Sequence, residues 1–218
     1  MDKIIKFLNS IIDLILPKDP EMIEIENMSE IDILNNVPQA LEIKNRRFIA
    51  MFQHKNKISR KAIWAIKYNG NQKIIRKFSG LFYEFILESI TDEIIFSKFN
   101  NPILIPIPMH KDNLKERGYN QSELITKEIF RIDDGKNFDI LLKTLIKIKK
   151  TPHQSALKNK NERLKNLKNC FCANEKDIKN KNIILIDDVI TTGTTMLEAS
   201  RTLMAAGARK VIGFSLTH

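Results

Sequence analysis

Hydrophobic positions are most tightly ordered towards the end of the chain. Ile183-Ile184-Leu185-Ile186 runs without a polar interruption, as a parallel strand covered on both faces requires. Two acids follow at once, and then Thr191-Thr192-Gly193-Thr194-Thr195, a turn rich in helix-capping residues. Met196, Ser200, Leu203 and Met204 recur at helical spacing up to Gly207, a helix-stop signal, and residues 210–216 read as another strand. Strand, loop, helix, strand is a βαβ unit. It predicts an α/β fold with a mostly parallel sheet flanked by helices.

Upstream, Ile4, Leu8, Ile11, Ile12 and Ile15 share one face of a helix predicted over residues 2–16. That stretch is too short to span a bilayer, is interrupted by Lys6 and Asp13, and lacks a signal-peptide cleavage site. Residues 19–42, punctuated by Pro20 and Pro38, read as irregular. Residues 41–54 predict one or two strands. Residues 58–68 predict a helix stopped by Asn69-Gly70-Asn71, and residues 73–89 a second. Residues 103–107 predict a short strand, residues 114–130 a helix, and residues 140–148 suit either. The expected organisation is an N-terminal helical and acidic appendage over 1–45 and a main domain over 46–218.

Composition narrows the class. With 43% hydrophobic and 28% charged residues among 218, the chain is globular and not disordered. Its net charge of +10 calls for an anionic partner, either nucleic acid or a phosphorylated small molecule. The charge is blocked: residues 19–42 hold seven acids and no Lys or Arg, residues 44–83 hold eleven basic residues and no acid, and residues 143–168 hold nine basic residues against Glu162. Trp64, Tyr68, Phe78, Phe82 and Tyr83 interleave with the first basic block, and rings beside cations suit single-stranded nucleic acid. Phe78 and Phe82 lie one helical turn apart and read as core, whereas Tyr68 reads as an exposed ring. Arg46, Arg47, Lys67, Tyr68 and Lys73 are the expected nucleic-acid contacts. The two cysteines, Cys170 and Cys172, form no CxxC pair, so the protein supplies no four-cysteine zinc site. They read as reduced thiols of a cytoplasmic protein.

The strand-to-helix loop carries the chemistry. In an open parallel sheet, ligands sit beyond the carboxyl ends of the strands. A small-residue turn entering a helix aims backbone N–H groups and a positive dipole end at one point, and threonine hydroxyls add donors: a phosphate cradle at Thr191, Thr192, Gly193, Thr194 and Thr195. Asp187 and Asp188 just before it can accept hydrogen bonds from vicinal hydroxyls or face a divalent cation. A phosphate receptor beside a diol receptor describes a ribose 5-phosphate site. The loop lacks the Gly-Lys-Ser/Thr of a Walker A motif, and Gly193 stands alone, so it is not a dinucleotide fingerprint.

Residues 183–195 resemble the signature of type I phosphoribosyltransferases, which bind phosphoribosyl pyrophosphate. Three further segments make the chain similar to the ComF family of competence-related proteins: Pro106-Ile107-Pro108-Met109-His110 continuing through Arg117-Gly118-Tyr119-Asn120-Gln121-Ser122-Glu123-Leu124, then Lys150-Thr151-Pro152-His153-Gln154-Ser155 with Arg163 and Asn166, and Lys67-Tyr68-Asn69-Gly70. The likeness covers roughly residues 46–218. It implies a type I phosphoribosyltransferase-like fold, phosphoribosyl pyrophosphate or ribose phosphate with Mg2+ as ligands, and single-stranded DNA handled during natural transformation. It places Met109, His110 and Lys111 in a pyrophosphate loop, with Lys115 and Arg117 near the leaving pyrophosphate, and Val189 and Ile190 with the phosphate turn. The catalytic set it implies is Asp187, Asp188, His110, Lys111 and Arg117. Residues 147–163 resemble the mobile lid of such sites, with Gln154 and Arg163 as its ligand contacts. Other competence proteins are further partners it allows, and it leaves peripheral attachment at the inner membrane open. Many members open with a four-cysteine zinc module; residues 1–169 here contain no cysteine, and the acidic segment stands in that place. Two alternatives stay open: a non-enzymatic module for ribose phosphate or DNA, and a nucleobase salvage enzyme.

Overall fold

The computed structural model describes residues 19–43, 45, 47–150 and 169–218. The helix expected over 2–16, Arg46, and most of the expected lid, with Gln154 and Arg163, lie outside the described residues.

Five parallel strands form the central sheet: β1 (Phe48–Phe52), β2 (Ile103–Pro106), β3 (Asp139–Ile140), β6 (Asn182–Val189) and β7 (Lys210–Thr217), in the spatial order β1-β7-β6-β2-β3. A two-stranded antiparallel ribbon, β4 (Leu145–Lys147) with β5 (Phe171–Ala173), stands apart from it. β6 shows why its apolar run is unbroken. Successive side chains of a strand alternate between faces. Ile184 and Ile186 enter the core on one face with Phe214 and Leu216, while Ile183 and Leu185 enter the core on the other with Ile103 and Ile105. All four β6 side chains are fully buried, each worth about 1.5–3 kcal/mol of transfer free energy.

The first face is covered by α4 (Gln72–Ser97) and α6 (Gln121–Asp133). Ile74, Phe78, Phe82, Ile86 and Ile90 of α4 meet Ile125 and Ile129 of α6 there. The second face is covered by α8 (Thr194–Ala205), through Met196, Ala199 and Leu203, and by the short α7 (Glu175–Ile178). The crossover from β2 to β3 runs through α6 on one face, and that from β6 to β7 through α8 on the other. The winding therefore reverses between β2 and β6, and a crevice opens beyond their carboxyl ends.

Four segments correct the sequence expectations. The acidic segment is not irregular. It forms α1 (Pro20–Asn27), with Asp19 as N-cap and Pro20 at the first helical position, and α2 (Glu30–Asn36), with a Ser29/Asp32 capping box. Its Met22, Ile25 and Ile33 are buried in the same core as α4. Its acids meet the first basic block: Glu21 pairs with Lys57 at 2.8 Å, Asp19 with Lys61 at 2.6 Å, Glu21 with Lys61, and Glu26 with Lys73 at 3.5 Å. The helix expected over 114–130 is two, α5 (Lys111–Arg117) and α6, broken where Gly118 takes φ +85°. The helix begun near residue 73 continues to Ser97, past the expected end at 89. The helix expected over 58–68 is α3 (Lys57–Trp64) followed by a π-helical turn, Ala65–Asn69. The ambiguous stretch 140–148 holds the end of β3 and all of β4.

Candidate functional site

The crevice between β2 and β6 is a cavity of about 350 Å³. Asp187 and Asp188 stand at its floor because β6 outruns β2 by three residues, its own pairing continuing with β7 from Asp187 to Val189. Both are nearly buried, at 9% and 3% exposure. Two adjacent carboxylates in that position need partners, and each has its own. Ser122 Oγ donates to Asp187 Oδ1 at 2.9 Å, as does the backbone N–H of Asp188 at 2.9 Å. Gln121 Nε2 donates to Asp188 Oδ1 at 3.3 Å, and Lys67 Nζ lies 2.7 Å from Asp188 Oδ2. Burial, and then the charge of Asp188, push the Asp187 carboxyl well above the usual carboxylate range, against the hydrogen bond from Ser122.

These partners explain the segment from Arg117 to Ser122. Gly118 ends α5 in the left-handed conformation that its missing Cβ permits. The Tyr119 ring packs over Gly70, where an added Cβ would lie 3.4 Å from it. Asn120 caps α6 with Oδ1 and donates from Nδ2 to Ile107 O at 3.0 Å, tying the start of α6 to the end of β2. Gln121 and Ser122 are thereby aimed at the two acids. Arg117 closes the chain, donating from Nη1 to Gln121 Oε1 at 2.7 Å.

Beside the acids, residues 189–195 form the turn into α8. Gly193 is its N-cap at φ +73°, and it brings no capping side chain to the first turn of the helix. A small pocket there is lined by Asp187, Val189, Ile190, Thr191, Gly193, Thr194 and Thr195. Thr192 and Thr194 hydroxyls meet at 2.7 Å. A turn of small residues at the head of a helix, beside the acids, suits a phosphate group.

The other expected residues divide. Met109 and Arg117 line the cavity. His110 is buried as the N-cap of α5, its Nδ1 accepting from Asp112 N at 3.3 Å, and neither it nor Lys111 lines the cavity. Lys67 and Tyr68, expected to meet nucleic acid, line this crevice, Lys67 as the counter-charge of Asp188. Arg47 lies just before β1, at the amino-terminal edge of the sheet and away from them. Lys73 faces Glu26. Asn113, Gln121, Ser122 and Lys147, outside the expected site residues, also line the cavity. For Gln121 and Ser122 the signal was their place in the Arg117–Leu124 segment. Burial holds the Lys147 ammonium below the ordinary lysine range, and Asp187 opposes this. Cys170 is buried, and burial pushes its thiol up to about 11, so it is no nucleophile at neutral pH.

Among the described residues no cluster of three or more His, Cys, Asp or Glu side chains could hold a metal ion, and no helix is long and apolar enough to cross a membrane.

A model of the phosphoribosyl transferase domain family matches residues 126–216. Competence protein F of Haemophilus influenzae is 34% identical over 110 residues, which cover 50% of this chain and 46% of that protein. Competence protein ComFC of Bacillus subtilis is 30% identical over 163 residues, covering 74% and 60% respectively. Its namesake from Streptococcus pneumoniae is 31% identical over 143 residues, covering 64% and 59%. The chain thus spans between 46% and 60% of the length of these curated relatives.

Proposed function

The chain belongs to the ComF family, and from that footing we propose that its crevice binds phosphoribosyl pyrophosphate, or the ribose 5-phosphate within it, in a protein that serves DNA uptake and handles single-stranded DNA. The carrying observation is the pair of buried acids, each held by its own polar partner, directly beside a small-residue turn that enters a helix and brings no capping side chain. Asp187 and Asp188 would accept the vicinal hydroxyls of the ribose, and the N–H groups of residues 191–195 would hold the 5'-phosphate. Arg117 and Lys147 line the same cavity and would meet the pyrophosphate. If the site turns over, the bond from ribose C1 to the pyrophosphate oxygen breaks, pyrophosphate leaves with the electron pair, and an acceptor bonds to C1.

The residues present do not make a dedicated cage for Mg2+. Asp188 Oδ2 already faces Lys67 Nζ, and no third metal-binding side chain converges there among the described residues. Any Mg2+ would arrive on the oxygens of the pyrophosphate, where it would neutralise charge.

DNA handling is supported by the net charge of +10 and by the competence relatives. Part of the first basic block is spent on α1, so its pull on DNA is smaller than the sequence alone implies. Binding without base readout should fall steeply with salt and vary little with sequence.

Calorimetry tests the crevice. Wild type should bind ribose 5-phosphate, and Asp187→Asn with Asp188→Asn should lose about 1.5–3 kcal/mol for each charged hydrogen bond removed. Unchanged affinity in a folded double variant would sink the assignment. Pyrophosphate release from phosphoribosyl pyrophosphate then separates an enzyme from a binding module, and release that depends on an added base would mark a salvage enzyme.

A further inference from the structure

Two exposed aromatic rings stand together at the crevice, Tyr68 on its wall and Trp64 against Tyr68. Trp64 is 52% exposed and Tyr68 is 60% exposed. In α3, Ser59, Ala62 and Ile63 take the buried face, which leaves Arg60 and Trp64, one turn apart, on the outer face. The π-helical turn that follows places Lys67 at Asp188 and Tyr68 on the cavity wall. Widened turns of this kind recur at functional sites. The Trp64 and Tyr68 rings lie 5.7 Å apart between centroids, and the Arg117 guanidinium sits 5.4 Å from the Tyr68 centroid. Arg117 in turn donates to Gln121, which donates to Asp188. The rings are therefore braced by the same side chains that set the floor of the crevice.

Half-exposed rings among cations leave flat apolar faces beside positive charge. An unpaired nucleobase matches both, because its faces stack and its phosphates meet Arg60 and Arg117. An acidic or apolar peptide segment would meet the cations or the rings, but offers no flat face. We propose that Trp64 and Tyr68, braced by Arg117, form the seat of an unpaired nucleobase at the mouth of the crevice, carried either by a mononucleotide or by a single strand. The seat gives the crevice its neighbouring ligand and in that respect rests on the ribose-phosphate reading. Its own chemistry is independent of it.

Trp64 is the sole tryptophan, so its emission reports on the seat directly. The full chain would be titrated with a short oligothymidylate, with an abasic strand of equal length, and with thymidine 5'-monophosphate. Binding of labelled oligothymidylate would be followed by anisotropy for wild type, Trp64→Leu and Trp64→Phe. The oligothymidylate should quench Trp64 and the abasic strand should not. Quenching by the mononucleotide as well assigns the seat to a base from either source, and its absence restricts the seat to strands. Trp64→Leu should weaken oligothymidylate binding about 5- to 150-fold, as loss of one stacked base does, and Trp64→Phe should recover most of it. Equal quenching by the abasic strand, or Trp64→Leu binding as wild type, overturns the proposal. Ribose 5-phosphate calorimetry on wild type reads the crevice separately. No binding there, with base-dependent quenching retained, fails the crevice and leaves the seat standing.

Discussion

Replacing Lys67 by Met tests whether the two acids depend on a single cation. The change keeps the alkyl stem and removes the ammonium that lies 2.7 Å from Asp188 Oδ2. Removing one partner of a fully buried pair costs about 3–5 kcal/mol, because the remaining charge is left without compensation. Here the Lys67 side chain is 25% exposed, so water already screens part of the attraction, and Gln121 still donates to Asp188. The expected loss is therefore near or below the bottom of that range, about 2–3 kcal/mol, or about 5–10 °C in Tm for a chain of this size. The loss should also depend on pH. Asp187 is an acid whose carboxyl in the folded protein is raised, by burial and then by Asp188, above its unfolded value. Such a group favours folding at pH below its unfolded pKa, and that contribution is lost as pH rises through the folded pKa. Without Lys67 the proton on Asp187 is held still more tightly. The deficit should be largest at about pH 8 and shrink towards about pH 5, where one acid of the pair can be neutral. Urea unfolding of wild type and Lys67→Met at both pH values, compared at equal m-value, measures it. Identical midpoints would mean that Lys67 is not the counter-charge of the pair. A loss of equal size at both pH values would trace to packing and refute the electrostatic argument.

Two further changes probe the scaffold. Asp133 is buried, and although burial pushes its carboxyl up, the N–H groups of Asn137 and Phe138, the Asn137 amide and the Tyr83 hydroxyl hold it below the usual carboxylate range. Asp133→Asn should cost about 2–4 kcal/mol in urea unfolding near neutral pH; because a depressed pKa stabilises above the unfolded value and is lost as pH falls through the folded one, the difference from wild type should narrow in acid, and a constant difference would refute the charge argument. Gly193→Ala meets no clash, the nearest side-chain atom being Phe48 Cδ2 at 3.6 Å, but forces a left-handed residue at φ +73°; it should cost about 1–2 kcal/mol in stability and also weaken ribose 5-phosphate in calorimetry, and unaltered values of both would show that the turn tolerates the change.

The parts of the site that the sequence made legible are those set by neighbours in the chain. The run from Ile183 to Ile186 matches a strand buried on both sides, and the turn after such a strand faces the carboxyl end of the sheet. The acidic helices also carry local signals in the sequence. Pro20 punctuates the segment like a breaker, yet proline is preferred at the first helical position, and Ser29 with Asp32 is a capping box written in the sequence. The resemblance places His110 in a pyrophosphate loop, whereas its position just before a helix suits a cap. Pairings made by topology had no local signal. Lys67 looked like one more cation in a basic block. Only the packing of α3 and its π-helical turn beside β6 makes it the counter-charge of Asp188. The same packing changes the meaning of the block itself. Lys57, Lys61 and Lys73 face the acids of α1, and Lys67 faces the crevice, so charge that reads as one surface for DNA is divided between internal pairing and a ligand site. A basic stretch defines an anion-binding face only after its internal partners are subtracted; among the described residues the subtraction leaves Arg47, Lys55, Arg60 and Arg76 with no acidic partner, and of these Arg60 shares the outer face of α3 with Trp64, where base stacking adds to phosphate charge.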